Sequence, residues 1–126
     1  MAKVLLIDDD PDIVEACRLV LEQEGHEVLC AYNRRDGLAL ARAESPDLLV
    51  LDVMMEEPDD GIDMARELRR EGFQAPILLL TSLGKVTGYR FGKEGGLVPV
   101  DDYQEKPIEP EAFVAKVAEL LQQKER

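Results

Sequence analysis

Three stretches of the chain are apolar at every interior position, and each stops at a polar group. Val4-Leu5-Leu6-Ile7 runs into Asp8-Asp9-Asp10, Leu48-Leu49-Val50-Leu51 into Asp52, and the segment from Pro76 to Leu80 into Thr81-Ser82. Continuous apolar runs of this length, bounded by turn residues, read as strands buried on both faces. Val28 to Tyr32 reads as a shorter strand of the same kind. Between these runs the period changes to that of a helix. Ile13, Val14, Cys17, Val20 and Leu21 recur at helical spacing after Asp10-Pro11 and before Gly25, which suits an N-cap, a first-turn proline and a C-terminal glycine. Asn33 is placed to cap a second helix to about Ala43, with Leu38, Ala39 and Ala41 as its apolar stripe. A third helix is expected from about Ile62 to Glu71 with Met64, Ala65 and Leu68 facing inward. A last one opens at Pro110 with Phe113, Val114, Val117, Leu120 and Leu121 buried.

Two segments break the rhythm. Val53 to Gly61 is a loop by its proline and glycine content. Residues 84–96 hold five of the nine glycines and keep no helical period. Interior glycines each weaken a helix by roughly 1 kcal/mol relative to alanine, so a loop with at most a helical turn is expected there. Beyond it, Val98 to Tyr103 carries Pro99 and leads into a fifth, edge-like strand that ends at Lys106-Pro107. Strands alternating with helices imply an α/β fold with a parallel sheet covered on both faces. The simplest architecture is a flavodoxin-like (βα)5 sandwich, five strands in the order 2-1-3-4-5, with a fourth helix short or absent. The 126 residues suit a single domain, residues 1–126, with one core and no linker or repeat.

Composition changes the picture in two places. Acidic residues number 27 against 15 basic ones, a net charge of −12 without a basic patch, which argues against nucleic-acid binding by these residues. The two cysteines, Cys17 and Cys30, sit in apolar periodic segments and read as buried reduced thiols; the single histidine, His26, sits beside Gly25 and reads as a surface residue. Zinc chemistry and a Ser-His-Asp triad therefore have little to draw on. No run approaches membrane-spanning length and no signal pattern precedes the first strand, so a cytoplasmic protein is expected.

In a parallel sheet the strand ends share one edge, where ligands of such folds bind. That gathers Asp8, Asp9, Asp52, Thr81 and Lys106. Three carboxylates at one place repel unless a cation joins them, and Mg2+, a hard ion that takes carboxylates, waters and phosphate oxygens, fits the set. Thr81 can donate to a phosphoryl oxygen, Lys106 can neutralise another, and an aspartate between metal and donors can act as a nucleophile for phosphoryl transfer. Plainer accounts exist for each: Asp8 a turn residue, Asp52 the opening of a turn, Thr81 a strand end, Lys106 a solvated charge, Tyr103 an edge-strand aromatic. Asp10 is sufficiently explained as a helix cap. Glu56, Glu57, Asp59 and Asp60 read as a solvated loop, and Met54 and Met55 as packing residues.

Taken together and in order, Val4 to Pro11, Leu48 to Asp52, Asp60-Gly61, Leu79 to Ser82 and Asp101 to Pro107 resemble the response regulator receiver domains of two-component signalling, over essentially the whole chain. The resemblance implies that Asp52 is the phosphoacceptor for a histidine kinase or phosphotransfer protein. It implies that Asp9, Asp52 and the backbone carbonyl of Met54 bind Mg2+ directly and that Asp8 acts through water. Thr81 and Lys106 would hold phosphoryl oxygens, Lys106-Pro107 would be cis, and Tyr103 would be an aromatic switch moving with Thr81. Two departures stand out: the segments from Asp52 to Gly61 and from Thr81 to Lys106 are longer than is usual, and the second is glycine-rich where the family has its fourth helix and a partner-binding face. The expected output is altered binding to another protein, and the expected catalysis is limited to self-phosphorylation from a donor and autodephosphorylation. The rival readings are a phosphorylation-independent receiver-like scaffold and a Mg2+-dependent phosphatase, the latter lacking a cap domain or substrate pocket.

Overall fold

The computed structural model describes residues 2–53, 55, 60–82 and 100–124 of the chain. Five strands, β1 (Lys3–Ile7), β2 (Glu27–Ala31), β3 (Leu48–Asp52), β4 (Ile77–Ser82) and β5 (Asp102–Lys106), form one parallel sheet in the order β2-β1-β3-β4-β5. Among the described residues there are four helices, α1 (Pro11–Gln23), α2 (Arg34–Glu44), α3 (Asp60–Arg70) and α4 (Pro110–Lys124). The expected flavodoxin-like architecture and strand order are therefore observed. The expectation of a short or absent helix over residues 84–96 lies outside the described residues, as does the part of the 53–61 loop that holds Met54, Glu56, Glu57 and Asp59.

The alternation along each strand explains the continuous apolar runs. Leu5, Ile7, Leu49, Leu51, Ile77 and Leu79 join Leu38 and Ala41 of α2 and Ile62, Met64, Ala65 and Leu68 of α3 in one core cluster. Val4, Leu6, Leu48, Val50, Leu78 and Leu80 join Val14, Cys17 and Leu21 of α1 and Phe113, Val117 and Leu120 of α4 in the other. Among the described residues each face of the sheet is covered by two helices, so neither parity of strand residue faces water and both must be apolar.

Local signals account for the helix ends. Asp10 caps α1, its carboxylate accepting from Asp12 N at 2.9 Å, with Pro11 at the first position. Asn33 caps α2 by accepting from Asp36 N at 2.8 Å. Gly25 and Gly72 follow α1 and α3 with φ of 89° and 97°, a left-handed conformation that side chains other than glycine rarely take. At the edge opposite the strand carboxyl ends, Arg69 of α3 donates to the carbonyls of Phe73 and Ala75 at 2.8 and 2.9 Å and to Asp101 Oδ2 at 2.9 Å, while Asp101 also accepts from Ile77 N at 2.8 Å. This clasp joins the starts of β4 and β5 to the end of α3.

Three sequence readings need correction. Asp60 is not a solvated loop residue: it is the first residue of α3, 4% exposed and paired with Arg34. His26 is half-buried, its Nδ1 accepting from Ala2 N at 3.2 Å, because the turn after Gly25 brings it back beside β1. The inner face of α2 is Gly37, Leu38 and Ala41 rather than Ala39, which is exposed. Gly37 belongs there because a Cβ would stand 2.5 Å from Ile7 Cδ1. Cys17 is buried and Cys30 half-buried, and both thiols are free.

Candidate functional site: an acidic pocket at the strand ends

The site is assembled by register. Ile7 is paired with Leu51, so the residues that follow, Asp8 and Asp52, leave adjacent strands side by side. Asp8 N continues the ladder to Ala31 O at 3.2 Å, and Val53 N does the same to Leu80 O at 3.0 Å. Asp8 Oδ1 accepts from Asp10 N at 2.9 Å, which links this carboxylate to the cap of α1 and fixes the turn that carries Asp9. Oxygens of Asp8, Asp9 and Asp52 all lie within 4.8 Å of one another, with Asp8 and Asp52 buried and Asp9 exposed. Of the expected metal ligands these three are brought together; the Met54 carbonyl lies outside the described residues.

Lys106 ends β5 in register with Ser82, and Thr81, buried at 1% exposure, is in register with Glu105. The Lys106 side chain extends over β4 to reach both neighbouring acids. Its Nζ donates to Asp52 Oδ1 at 3.1 Å and lies 3.0 Å from Asp8 Oδ2. Asp8 Oδ2 is buried and, despite that ion pair, has no aligned hydrogen-bond donor. Tyr103, expected to act with Thr81, pairs with Leu79 two positions before the Thr81–Glu105 pair and packs half-buried against the α2–α3 side of the core. The Lys106-Pro107 peptide is cis.

The electrostatics follow from burial. The Asp52 carboxyl is pushed up to about 6, first by loss of water and then by the charge of Asp8, against the opposing pull of Lys106. Burial also works against the Lys106 ammonium, but the two carboxylates outweigh it and hold its pKa above the ordinary value. Beneath the site the Cys17 thiol is raised to about 12 by burial and by Asp8. A buried oxygen whose neighbouring ammonium is not aligned to donate to it, inside an all-oxygen cluster carrying more negative than positive charge, fits a hard divalent cation.

Sequence reasoning missed two contributors. Gly61 N donates to Val53 O at 2.8 Å, and a Cβ on Gly61 would stand 2.0 Å from the Asp52 carbonyl oxygen, so only glycine lets α3 start against the end of β3. Asp60, one residue earlier, accepts from Arg34 of α2 at 3.3 Å. The Asp60-Gly61 dipeptide was visible as a turn signal; the arginine that meets it, 26 residues away, was not.

An open parallel α/β sheet with an acid cluster and a lysine at its carboxyl edge is the arrangement of a receiver domain. The family model described as "Response regulator receiver domain" matches residues 4–118, and the chain belongs to that family. It is 37% identical over 123 residues to the alkaline phosphatase synthesis transcriptional regulatory protein PhoP of Bacillus subtilis, covering 98% of this chain and 50% of that protein. To the transcriptional regulatory protein CpxR of Klebsiella pneumoniae it is 39% identical over 121 residues, covering 96% and 50%. The chain thus spans about half the length of the curated relatives it matches. Among solved structures, the Francisella response regulator 1452 receiver domain superposes with a TM-score of 0.84 at 28% identity, covering 98% of both chains. A response regulator receiver domain protein from Clostridium thermocellum does so with 0.83 at 26%, covering 99% of this chain and 98% of that one. Among the described residues no helix is long and apolar enough to cross a membrane.

Proposed function

We propose that Asp52 accepts a phosphoryl group from a phosphohistidine of a sensor kinase or phosphotransfer protein in a Mg2+-dependent step, and that residues 1–126 act as one cytoplasmic receiver unit. The observation that carries this reading is the grouping of Asp8, Asp9 and Asp52 within 4.8 Å, with the single ammonium of Lys106 shared between Asp8 Oδ2 and Asp52 Oδ1. Asp9 and Asp52 would hold the ion directly, with the Met54 carbonyl, and Asp8 through water. When bound, Mg2+ supplies positive charge that allows ionised carboxylates and phosphoryl oxygens to share the site.

The ionised Asp52 carboxylate attacks phosphorus, forming the Oδ–P bond as the P–N bond to the donor histidine breaks; the electron pair stays on the imidazole nitrogen. Lys106 shifts from Asp52 to a phosphoryl oxygen, and the Thr81 hydroxyl donates to another. Water later cleaves the acyl phosphate, returning phosphate and the free carboxylate. The modification adds about −1.5 to −2 charge at a buried position, and the new demands on Thr81 and Lys106 would bias the β4–β5 edge where Tyr103 sits. The output would be altered binding to a downstream protein, without nucleic-acid binding by these acidic residues.

Intact mass after incubation with Mg2+ and a small phosphodonor tests this. Wild type is expected to gain one phosphoryl group, Asp52→Asn none, and chelation of the metal should abolish the adduct. An adduct that persists on Asp52→Asn would overturn the assignment.

A further inference from the structure

Helices α2 and α3 are joined by two arginines of α2 that meet acids along one side of α3. Arg42 bonds Glu67 at 2.8 Å and Glu71 at 2.9 Å, remote from the pocket. Arg34 bonds Glu67 at 3.1 Å and Asp60 at 3.3 Å. The Asp60 contact differs in kind from the others. Glu67 and Glu71 are partly exposed, where ion pairs contribute little. Asp60 is 4% exposed, and it adjoins Gly61, where a Cβ would stand 2.0 Å from the Asp52 carbonyl oxygen and whose N–H bonds Val53 O. The place of Asp60 therefore sets the place of the chain immediately after the pocket's central carboxylate. Arg34, the first residue of α2, meets Asp60 from a separate element.

We propose that the Arg34–Asp60 ion pair is a positioning device for the acidic pocket, holding the start of α3 against the backbone of Asp52 and Val53. This rests on the reading of the pocket as a Mg2+-dependent phosphoacceptor site. Arg34 touches none of the three pocket carboxylates in the described contacts; it acts through Asp60 and Gly61. Partners that orient metal ligands without touching the metal change affinity by about 10–100-fold when removed.

Position and charge predict different signs, which makes the inference testable. If Arg34 and Asp60 acted only through their fields, removing the cation would strengthen Mg2+ binding and removing the acid would weaken it. If they act by position, Arg34→Ala and Asp60→Asn both weaken it. The experiment is titration calorimetry with MgCl2 on the full chain, alongside urea unfolding and amide exchange at Gly61. Arg34→Ala and Asp60→Asn are expected to raise the Mg2+ dissociation constant about tenfold and to speed Gly61 exchange, with Arg34→Lys recovering part of the loss. Arg42→Ala, which loosens the same helix pair away from the pocket, should lower stability yet leave Mg2+ affinity within about twofold. The inference is overturned if Arg34→Ala binds Mg2+ as well as wild type or better, or if Arg42→Ala weakens binding equally. Should Arg34→Ala not fold, Arg34→Met, which removes the charge and its bonds but keeps the apolar stem, decides by the same criteria. Wild-type protein that binds no Mg2+ would instead remove the reading of the pocket itself.

Discussion

Lys106 Nζ donates to Asp52 Oδ1 at 3.1 Å, from a strand that is not Asp52's neighbour; β4 lies between them. Its second acid, Asp8, is 3.0 Å away on the strand beyond. One ammonium thus restrains two buried carboxylates. Lys106→Ala is expected to destabilise the metal-free protein by about 1–3 kcal/mol, since a buried pair is broken while the acids retain the option of taking up protons. The same change removes the cation that competes for the pocket, so Mg2+ should bind about tenfold tighter to the variant than to wild type. Urea melts with and without MgCl2 check both signs.

Asp52 carries a stability cost of its own in the metal-free protein. Its folded pKa, about 6, lies above the unfolded value near 3.8. The folded state therefore holds the proton more tightly. That contribution is fully present below the unfolded pKa and is lost as pH rises through about 6. Asp52→Asn has no such loss, so at pH 7 the variant should be the more stable by about 1–3 kcal/mol, with the difference shrinking toward pH 4. Mg2+ should stabilise wild type and not the variant. A wild type that gains stability between pH 5 and 7 without metal would contradict the sign.

Gly61→Ala has no soft way out. The added Cβ would stand 2.0 Å from the Asp52 carbonyl oxygen, 2.8 Å from its carbon and 2.9 Å from Val53 Cα, all backbone atoms. The start of α3 must retreat. A loss of about 2–4 kcal/mol is expected, with Mg2+-dependent phosphorylation falling further than stability does, because the displaced backbone is that of Asp52, the proposed acceptor. Gly25→Ala makes a useful contrast: its penalty comes from its φ of 89° with open space around the Cβ, and it should leave phosphorylation unchanged.

The Cys17 thiol, raised to about 12, should resist alkylation in the native state at pH 8 and react on unfolding; Cys30, also raised by burial, should react more slowly than a free thiol. The linkage runs the same way as for Asp52. The stabilising neutral thiol is fully effective below pH 9, the unfolded value, and its contribution declines as pH rises toward 12. The stability advantage of wild type over Cys17→Ala should fall above pH 9 by about 1.4 kcal/mol per unit. Chemical denaturation at pH 8, 9 and 10 measures it.

Much of the pocket was legible because Asp8, Asp52 and Thr81 each end an apolar run and Lys106 ends the edge strand before a proline. Asp8, Asp52, Thr81 and Lys106 stand where a strand stops, and a parallel sheet brings such positions to one edge. The helix caps Asp10 and Asn33 were equally visible, because a cap bonds to its own neighbours in sequence. Asp60 was misread for the opposite reason. Nothing near it in the chain distinguishes a buried acid from a solvated one; what decides is a guanidinium from α2. The same holds for His26, whose partner is at the far end of the first turn of chain, and for Gly37, whose constraint is the Ile7 side chain.

The chain by itself determined the succession of strands and helices, the faces they bury and the polar residues that close β1, β3, β4 and β5. Those properties depend on period and on bonds between residues a few positions apart, so local order is enough to carry them. Tertiary structure alone decided that Lys106 spans two strands to hold Asp8 and Asp52, and that Arg34 anchors Asp60 beside the Asp52 carbonyl. These are distances between side chains far apart in sequence. They come into being only when the two faces of the sheet are covered and water is excluded from the groups that meet there.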